Sequence, residues 1–336
     1  MDWELIGHDW AIRMLQHHIT GGQFRHAYLF TGPRGVGKRS LALQFAMAIN
    51  CSATTQAGSP CGQCRDCLQI QKMQHPDLFI VQAESEGQVL KVEQVRELQH
   101  QLSLAPYQSS FRIGLLLRME EANESAQNAL LKTLEEPNDR VILLLTADMV
   151  ESVLPTISSR CEVISLRPLP LSELDTQLQT REQVDPQKAE LIAHVSGGRP
   201  GYALRLLREP QQLEKRAAWL DDLASLLAAN RRDRFDYCEK NFYSRKEERS
   251  VIKDRLNEAL PHWLSLWRDV LITASGAPVP LINLDRRDQI SRLAQTIPLD
   301  TARQLTRHIE SNLPRLANAN LRLLAESIIL EWPHLS

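Results

Sequence analysis

The stretch that most narrows what this chain can fold into is Gly32-Pro33-Arg34-Gly35-Val36-Gly37-Lys38-Arg39-Ser40. It sits between the apolar run Ala27-Tyr28-Leu29-Phe30 and the helical pattern Leu41 to Asn50. Strand, glycine loop, lysine and helix in that order make a phosphate-binding loop, because backbone N–H groups of the loop and of the helix start converge on one anion. Gly32, Gly35 and Gly37 allow the tight turns, and Lys38 reaches the outer phosphates as a point charge. The position after the lysine departs from the pattern. Ser or Thr belongs there, since its hydroxyl ligates Mg2+, but this chain has Arg39. Ser40 comes one residue late, about 100° further round the helix. The loop is therefore built to hold phosphate and ill suited to hold metal. A glycine loop kept for packing alone is the competing reading.

A chain of 336 residues suits two or three domains, each able to bury a core. Four of its six cysteines crowd between Cys51 and Cys67. Cys51, Cys61, Cys64 and Cys67 give C-x9-C-x2-C-x2-C, in which two short steps share Cys64 and the fourth thiolate comes from the end of the preceding helix. That spacing closes a tetrahedral four-cysteine zinc site with no open position, hence a structural metal. Free or iron-sulfur cysteines are the alternative, with no other sign of redox chemistry. Asp2 and Glu4 stand where a signal peptide would be basic, and no apolar run has membrane-spanning length, so the expected compartment is the cytoplasm. At a net charge of −2 no global field attracts nucleic acid.

In chain order, Ile6 to Gly21 spaces Ala11, Met14, Leu15 and His18 as a helix. After the cysteines, His75-Pro76-Asp77 leads into a strand Leu78 to Val81, and Val92 to Leu104 reads as a helix with Val92, Val95, Leu98 and Leu102 inward. A second buried strand, Ile113 to Leu117, is the continuous apolar run of a parallel sheet. In a phosphate-loop ATPase that strand ends in Asp-Glu, which holds Mg2+ and prepares the attacking water. Counted back from Asn128-Ala129-Leu130-Leu131, those places fall on Leu117 and Arg118, and Glu120 and Glu121 follow two to three residues late. A helix Glu124 to Glu136, a strand Val141 to Thr146 and a strand Glu162 to Leu166 come next. Arg160, in the short turn before that last strand, is either a solvated surface charge or a cation aimed at a neighbour's nucleotide. Arg167-Pro168-Leu169-Pro170 marks a boundary. Helices are then expected over Leu171 to Gln179, from Asp185-Pro186 and over Tyr202 to Leu207. Beyond Pro210 the pattern is helical nearly to the end, with amphipathic stretches at Trp219 to Leu227, Val251 to Ile272 and Leu321 to Trp332.

Several blocks together carry a resemblance. They are His26-Ala27-Tyr28-Leu29-Phe30 with the glycine loop, the four cysteines, His75-Pro76-Asp77, the run Asn128 to Pro137, and Leu154 to Cys161 with Ser159-Arg160-Cys161. Trp267-Arg268-Asp269 and Leu316 to Leu321 add to it. The chain resembles the delta-prime family of bacterial DNA polymerase III clamp-loader subunits. The resemblance implies an α/β P-loop AAA+ domain over 1–167, a parallel sheet flanked by helices with the zinc insertion at 51–67. It further implies a small helical lid domain over 168–208 and an all-α collar over 209–336. It implies a hetero-oligomer with gamma/tau motor subunits and a delta subunit, acting on the sliding clamp and primed DNA. In that family Ser159-Arg160-Cys161 is the motif that reaches an adjacent ATPase.

Motor subunits share this framework, so the departures decide. Arg39, Leu117, Arg118 and Gly201, the last where a motor carries a second nucleotide-sensing arginine, remove four catalytic features from one site. The chain is therefore expected to complete a neighbour's active site without firing its own, as a stator, with ATP or ADP as the loop's possible ligands. An active gamma/tau-like ATPase and a zinc-dependent DNA-binding module, the latter supported only by Arg65 and Lys72, are the alternatives. His75 is expected to cap a loop, and Cys238 to be an inert buried thiol.

Overall fold

Five short apolar runs become the parallel sheet of the first of two units: β1 (Ala27–Thr31), β2 (Leu78–Val81), β3 (Arg112–Leu116), β4 (Val141–Ala147) and β5 (Glu162–Ser165). The structure is a computed structural model that describes residues 3–54, 56–84, 87–243 and 248–335. The strand order is β2-β3-β4-β1-β5, with every pairing parallel. Strands β1, β3 and β4 are buried throughout, as strands covered on both faces must be. Edge strand β5 buries only Ile164 fully. β3 starts and ends one residue before the expected Ile113 to Leu117, with Arg112 paired to Val141.

One face of the sheet carries α1 (Asp9–Thr20), α2 (Lys38–Asn50) and α3 (Arg65–Gln71), whose core joins Trp3, Tyr28, Phe30 and Phe45. The Tyr28 and Phe45 rings meet edge-on at 4.8 Å. α1 starts at Asp9 and not at Ile6, because Gly7 (φ 73°) and His8 (φ 62°) are left-handed and cannot belong to the helix. Ala11, Ile12 and Leu15 form its buried stripe, while Met14 and His18 are half-buried. The other face carries α4 (Val92–Leu102), α5 (Glu124–Glu135) and the short α6 (Pro155–Ser158), with Val95, Leu98, Leu130 and Leu134 inward. The first unit comprises Met1–Glu182 with Gly198–Tyr202 and so includes α7 (Leu171–Arg181).

The second unit, Gln183–Gly197 with Ala203–Ser336, is helical. α8 (Pro186–Ser196) is capped by Asp185, whose carboxylate accepts the N–H groups of Gln187 and Lys188, and it ends at the left-handed Gly197. α9 (Pro200–Arg208) begins two residues before the expected Tyr202, since proline fits a first helical turn that needs no N–H. Then come α10 (Gln211–Ala228), α11 (Arg231–Phe242), α12 (Arg249–Ser275), α13 (Arg287–Thr296), α14 (Leu299–Asn312) and α15 (Leu321–Leu330). α12 continues past Pro261, which lies inside it. Trp263 is the hub of the core, edge-on to Trp219 at 5.9 Å, Phe242 at 6.1 Å and Trp332 at 5.1 Å. The Trp267-Arg268-Asp269 block is explained by Asp269, fully buried, whose carboxylate accepts the backbone N–H groups of Ile282 and Asn283 and so pins that segment to α12. Among the described residues no helix is long and apolar enough to cross a membrane.

Candidate functional site

β1 ends on Thr31, and the loop that follows turns the chain into α2 at Gly37, whose φ of 113° puts the helix cap in the left-handed region. Gly32 is obligatory: at φ +140° a Cβ would lie 2.3 Å from the Leu166 carbonyl oxygen. Gly35 also has positive φ, and its carbonyl accepts the Tyr202 N–H at 3.0 Å. The segment 198–202 thus lies against the loop. A Cβ on Gly201 would sit 2.9 Å from the Gly35 oxygen, so this backbone approach is close enough to disfavour any side chain there. Two residues earlier, Arg199 stacks on Tyr202 at 4.9 Å and donates to the Arg34 carbonyl at 3.4 Å. His8 reaches the loop as well, its Nε2 2.8 Å from the Val36 oxygen.

Lys38 turns back into this loop. Its ammonium donates to the Gly32 carbonyl and to Asp148 Oδ1, the latter at 2.7 Å. Asp148 directly follows β4, the strand beside β1, and its other oxygen takes Arg34 Nε at 3.2 Å. Arg39 takes no part in this arrangement. It is exposed and lines a groove of about 850 Å3 with Lys72, Gln82, Glu93 and Gln94 along the β2 edge. Ser40 is exposed too.

The two places where an acidic pair would stand hold Leu117, which is 4% exposed, and Arg118 in a left-handed conformation (φ 57°). The Arg118 guanidinium bonds Glu121 Oε2 at 2.7 Å, and Glu121 Oε1 accepts the Gly87 N–H, so Glu121 braces loops. Glu120 goes the other way. Its Oε2 accepts the Asp148 N–H at 3.2 Å, while its Oε1 is buried without a hydrogen-bond partner among the described residues. Burial first, and then the Asp148 charge, push the Glu120 carboxyl above the usual range, with Lys38 opposing. Of the two late glutamates, one therefore does approach the loop.

Arg160 lies apart from these groups, just past α6. Its Nη1 donates to the Thr156 carbonyl at 2.8 Å and its Nη2 pairs with Glu135 Oε1 at 2.9 Å, with the side chain 37% exposed. The adjoining Cys161 thiol is pushed up to about 12 by burial.

The four cysteines do come together. Cys51 follows α2, Cys64 caps α3, and Cys61 and Cys67 complete a cluster whose sulfurs all lie within 4.8 Å of one another. Cys51 and Cys64 are 4.0 Å apart, as are Cys61 and Cys67. A tetrahedral ion with metal–sulfur bonds of about 2.3 Å needs sulfurs about 3.8 Å apart, so the set would close on one with small side-chain shifts. Backbone N–H groups of Cys61, Cys64 and Cys67 donate to the sulfurs of Cys51, Cys61 and Cys64. Burial opposes ionisation of Cys64, yet the Cys67 N–H and the Ser52 hydroxyl bring its thiol down to about 6. His75 is no ligand. Its Nδ1 accepts the Asp77 N–H and its Nε2 faces Asp66 at 3.3 Å. Asp77 in turn holds the N–H groups of Tyr107, Gln108 and Ser109, which is what the His75-Pro76-Asp77 block does.

Residues 7–170 match the family described as DNA polymerase III, delta subunit, and residues 210–334 match DNA polymerase III, delta subunit, C terminal. Over 324 residues, 95% of this chain and 94% of the relative, the sequence is 28% identical to DNA polymerase III subunit delta' of Bacillus subtilis. The chain belongs to the delta-prime family of DNA polymerase III clamp-loader subunits. It is 38% identical over 208 residues to subunit delta' of Pseudomonas aeruginosa, covering 61% of this chain and 62% of that relative. It is 33% identical over 208 residues to subunit tau of Escherichia coli, 60% of this chain but only 32% of that longer relative. A solved DNA polymerase III gamma subunit-related protein of Thermotoga maritima shares the fold at a TM-score of 0.51 and 15% identity, covering 95% of this chain and 97% of that one. The parallel sheet between helical layers is the AAA+ arrangement, and the family's work is in DNA replication.

Asp148, Arg199 and the orientation of Glu120 were not legible as site features. The available signal was the end of the apolar run Val141 to Ala147, since ligands of open parallel sheets gather at the carboxyl ends of strands.

Proposed function

We propose that this clamp-loader subunit is the stator of its complex: it supplies Arg160 to ATP held by a neighbouring gamma/tau motor and does not hydrolyse ATP itself. The observation that carries this is the pairing of a half-exposed guanidinium, remote from its own phosphate loop, with a loop whose acidic pair is replaced by Leu117 and Arg118. A planar cation at a transferring γ-phosphoryl stabilises the charge that develops there. Coupled to the delta subunit, that step would drive release of the sliding clamp on primed DNA in the cytoplasm. In this reading 168–208 serves as lid and 209–336 as collar. Cys51, Cys61, Cys64 and Cys67 would hold a structural zinc ion that braces α2 against α3 and takes no part in chemistry.

Arg160→Ala should reduce the ATPase of the reconstituted complex by on the order of 10³ while leaving assembly intact. Undiminished turnover would remove the role. The active-motor reading retains one observation in its favour, the approach of Glu120 to Asp148 beside Lys38. It requires Mg2+-dependent turnover by the purified chain that is lost in Glu120→Gln.

A further inference from the structure

The geometry points to Asp148 as the residue that makes the phosphate loop select a nucleoside diphosphate over a triphosphate. This deepens, and rests on, the reading of Gly32 to Ser40 as a phosphate-binding loop. The lysine of such a loop is the group that meets the outer phosphates. Here the Lys38 ammonium, 12% exposed, is already engaged by a carboxylate at 2.7 Å. That carboxylate is itself anchored on its far side by Arg34 Nε at 3.2 Å. Glu120 stands behind it, tied to the Asp148 backbone N–H and with Oε1 buried and unpartnered among the described residues.

A phosphoryl group that reaches Lys38 therefore arrives beside two carboxylates. One such group is compensated by the lysine and by the backbone N–H groups at the start of α2. A further terminal phosphoryl group brings more negative charge to a half-buried place whose cations, the Lys38 ammonium and the Arg34 guanidinium, are already engaged by Asp148, with Glu120 beside it. Like charges there are poorly screened, so the longer ligand is penalised more than the shorter one. The two places from which a motor directs Mg2+ onto that terminal group hold Leu117 and Arg118, which cannot ligate the ion to cancel the repulsion.

The test is equilibrium binding of fluorescent ADP and ATP analogues to the purified full chain, with chelator and with Mg2+. Parallel measurements are made on Asp148→Asn, Lys38→Ala and Glu120→Gln, each checked for folding by circular dichroism. The wild-type chain should bind the diphosphate on the order of tenfold more tightly than the triphosphate in both conditions. Asp148→Asn should abolish the preference by tightening the triphosphate, and Glu120→Gln should narrow it. Equal affinities in the wild type, a triphosphate preference restored by Mg2+, or a diphosphate preference unchanged in Asp148→Asn would overturn the selectivity while leaving the loop a phosphate site. Absence of any Lys38-dependent nucleotide binding, in the wild type and in Asp148→Asn alike, would overturn both.

Discussion

Glu135 ends α5 with a negative charge where the helix dipole disfavours one, and its carboxylate is satisfied by Arg160 at 2.9 Å. The pair is half exposed, so it contributes only about 0.2–1 kcal/mol. That small value suits the role proposed for Arg160, in which the side chain leaves its own chain's carboxylate for a phosphate. Glu135→Gln removes the competitor. In the reconstituted complex it should lower the apparent KM for ATP by up to about fivefold with kcat nearly unchanged, read from steady-state ATPase. A large fall in kcat would instead make Glu135 an aligning group. Arg160 could be singled out from sequence because its block is local, but its partner could not, since Glu135 and Arg160 meet only after β4 has carried the chain across the sheet. The same holds for Asp148 and Lys38, brought together because β1 and β4 are neighbours.

At the scale of elements, the four-cysteine cluster and the buried network around α12 can be tested separately. The cluster ties the end of α2 to the start of α3, a link made otherwise by Ile70 and Cys67 packing into the first unit's core. On the proposed zinc reading, a strong chelator should therefore lower the thermal midpoint by roughly 5–10 °C, a few kcal/mol for a domain of this size, without unfolding the sheet. Differential scanning calorimetry alongside metal analysis checks this, and Cys64→Ser should reproduce it. In α12, burial and then the Arg216 cation hold His262 down to about 4 from an ordinary 6.5. The folded form refuses a proton that the unfolded chain accepts below pH 6.5. The stability this neutral histidine allows is full above that pH, declines as pH falls, and has been lost entirely below about 4, by at most about 3 kcal/mol. Urea midpoints measured across this window should lose that slope in His262→Leu. These helices were legible as helices from their apolar periodicity. The separate α11, α13 and α14 were not, because their limits are set by caps such as Asn230, whose side-chain Oδ1 accepts the N–H groups of Arg232 and Asp233, and not by any change of period.

For the whole molecule, the order of pieces was plain in the sequence: glycine loop, cysteine insertion, continuous apolar strands, then helices. Each of those signals is a spacing within some twenty residues, and such spacings survive in a one-dimensional string. The strand order β2-β3-β4-β1-β5 is not a spacing of that kind. It decides which strand ends face the loop, and with them the acids that surround Lys38.

Leu117, sealed at 4% exposure where a motor's first carboxylate would stand, also bears on how the chain can change. Leu117→Asp alone would put an unpaired acid into the sheet's interior and forfeit several kcal/mol of stability. Nor could it hydrolyse anything, with Arg118 and Arg39 still in place. The step at Leu117 is thus harmful before it is useful. On the proposed stator reading this strand end acts as a ratchet, which commits a lineage carrying it to working through its neighbours.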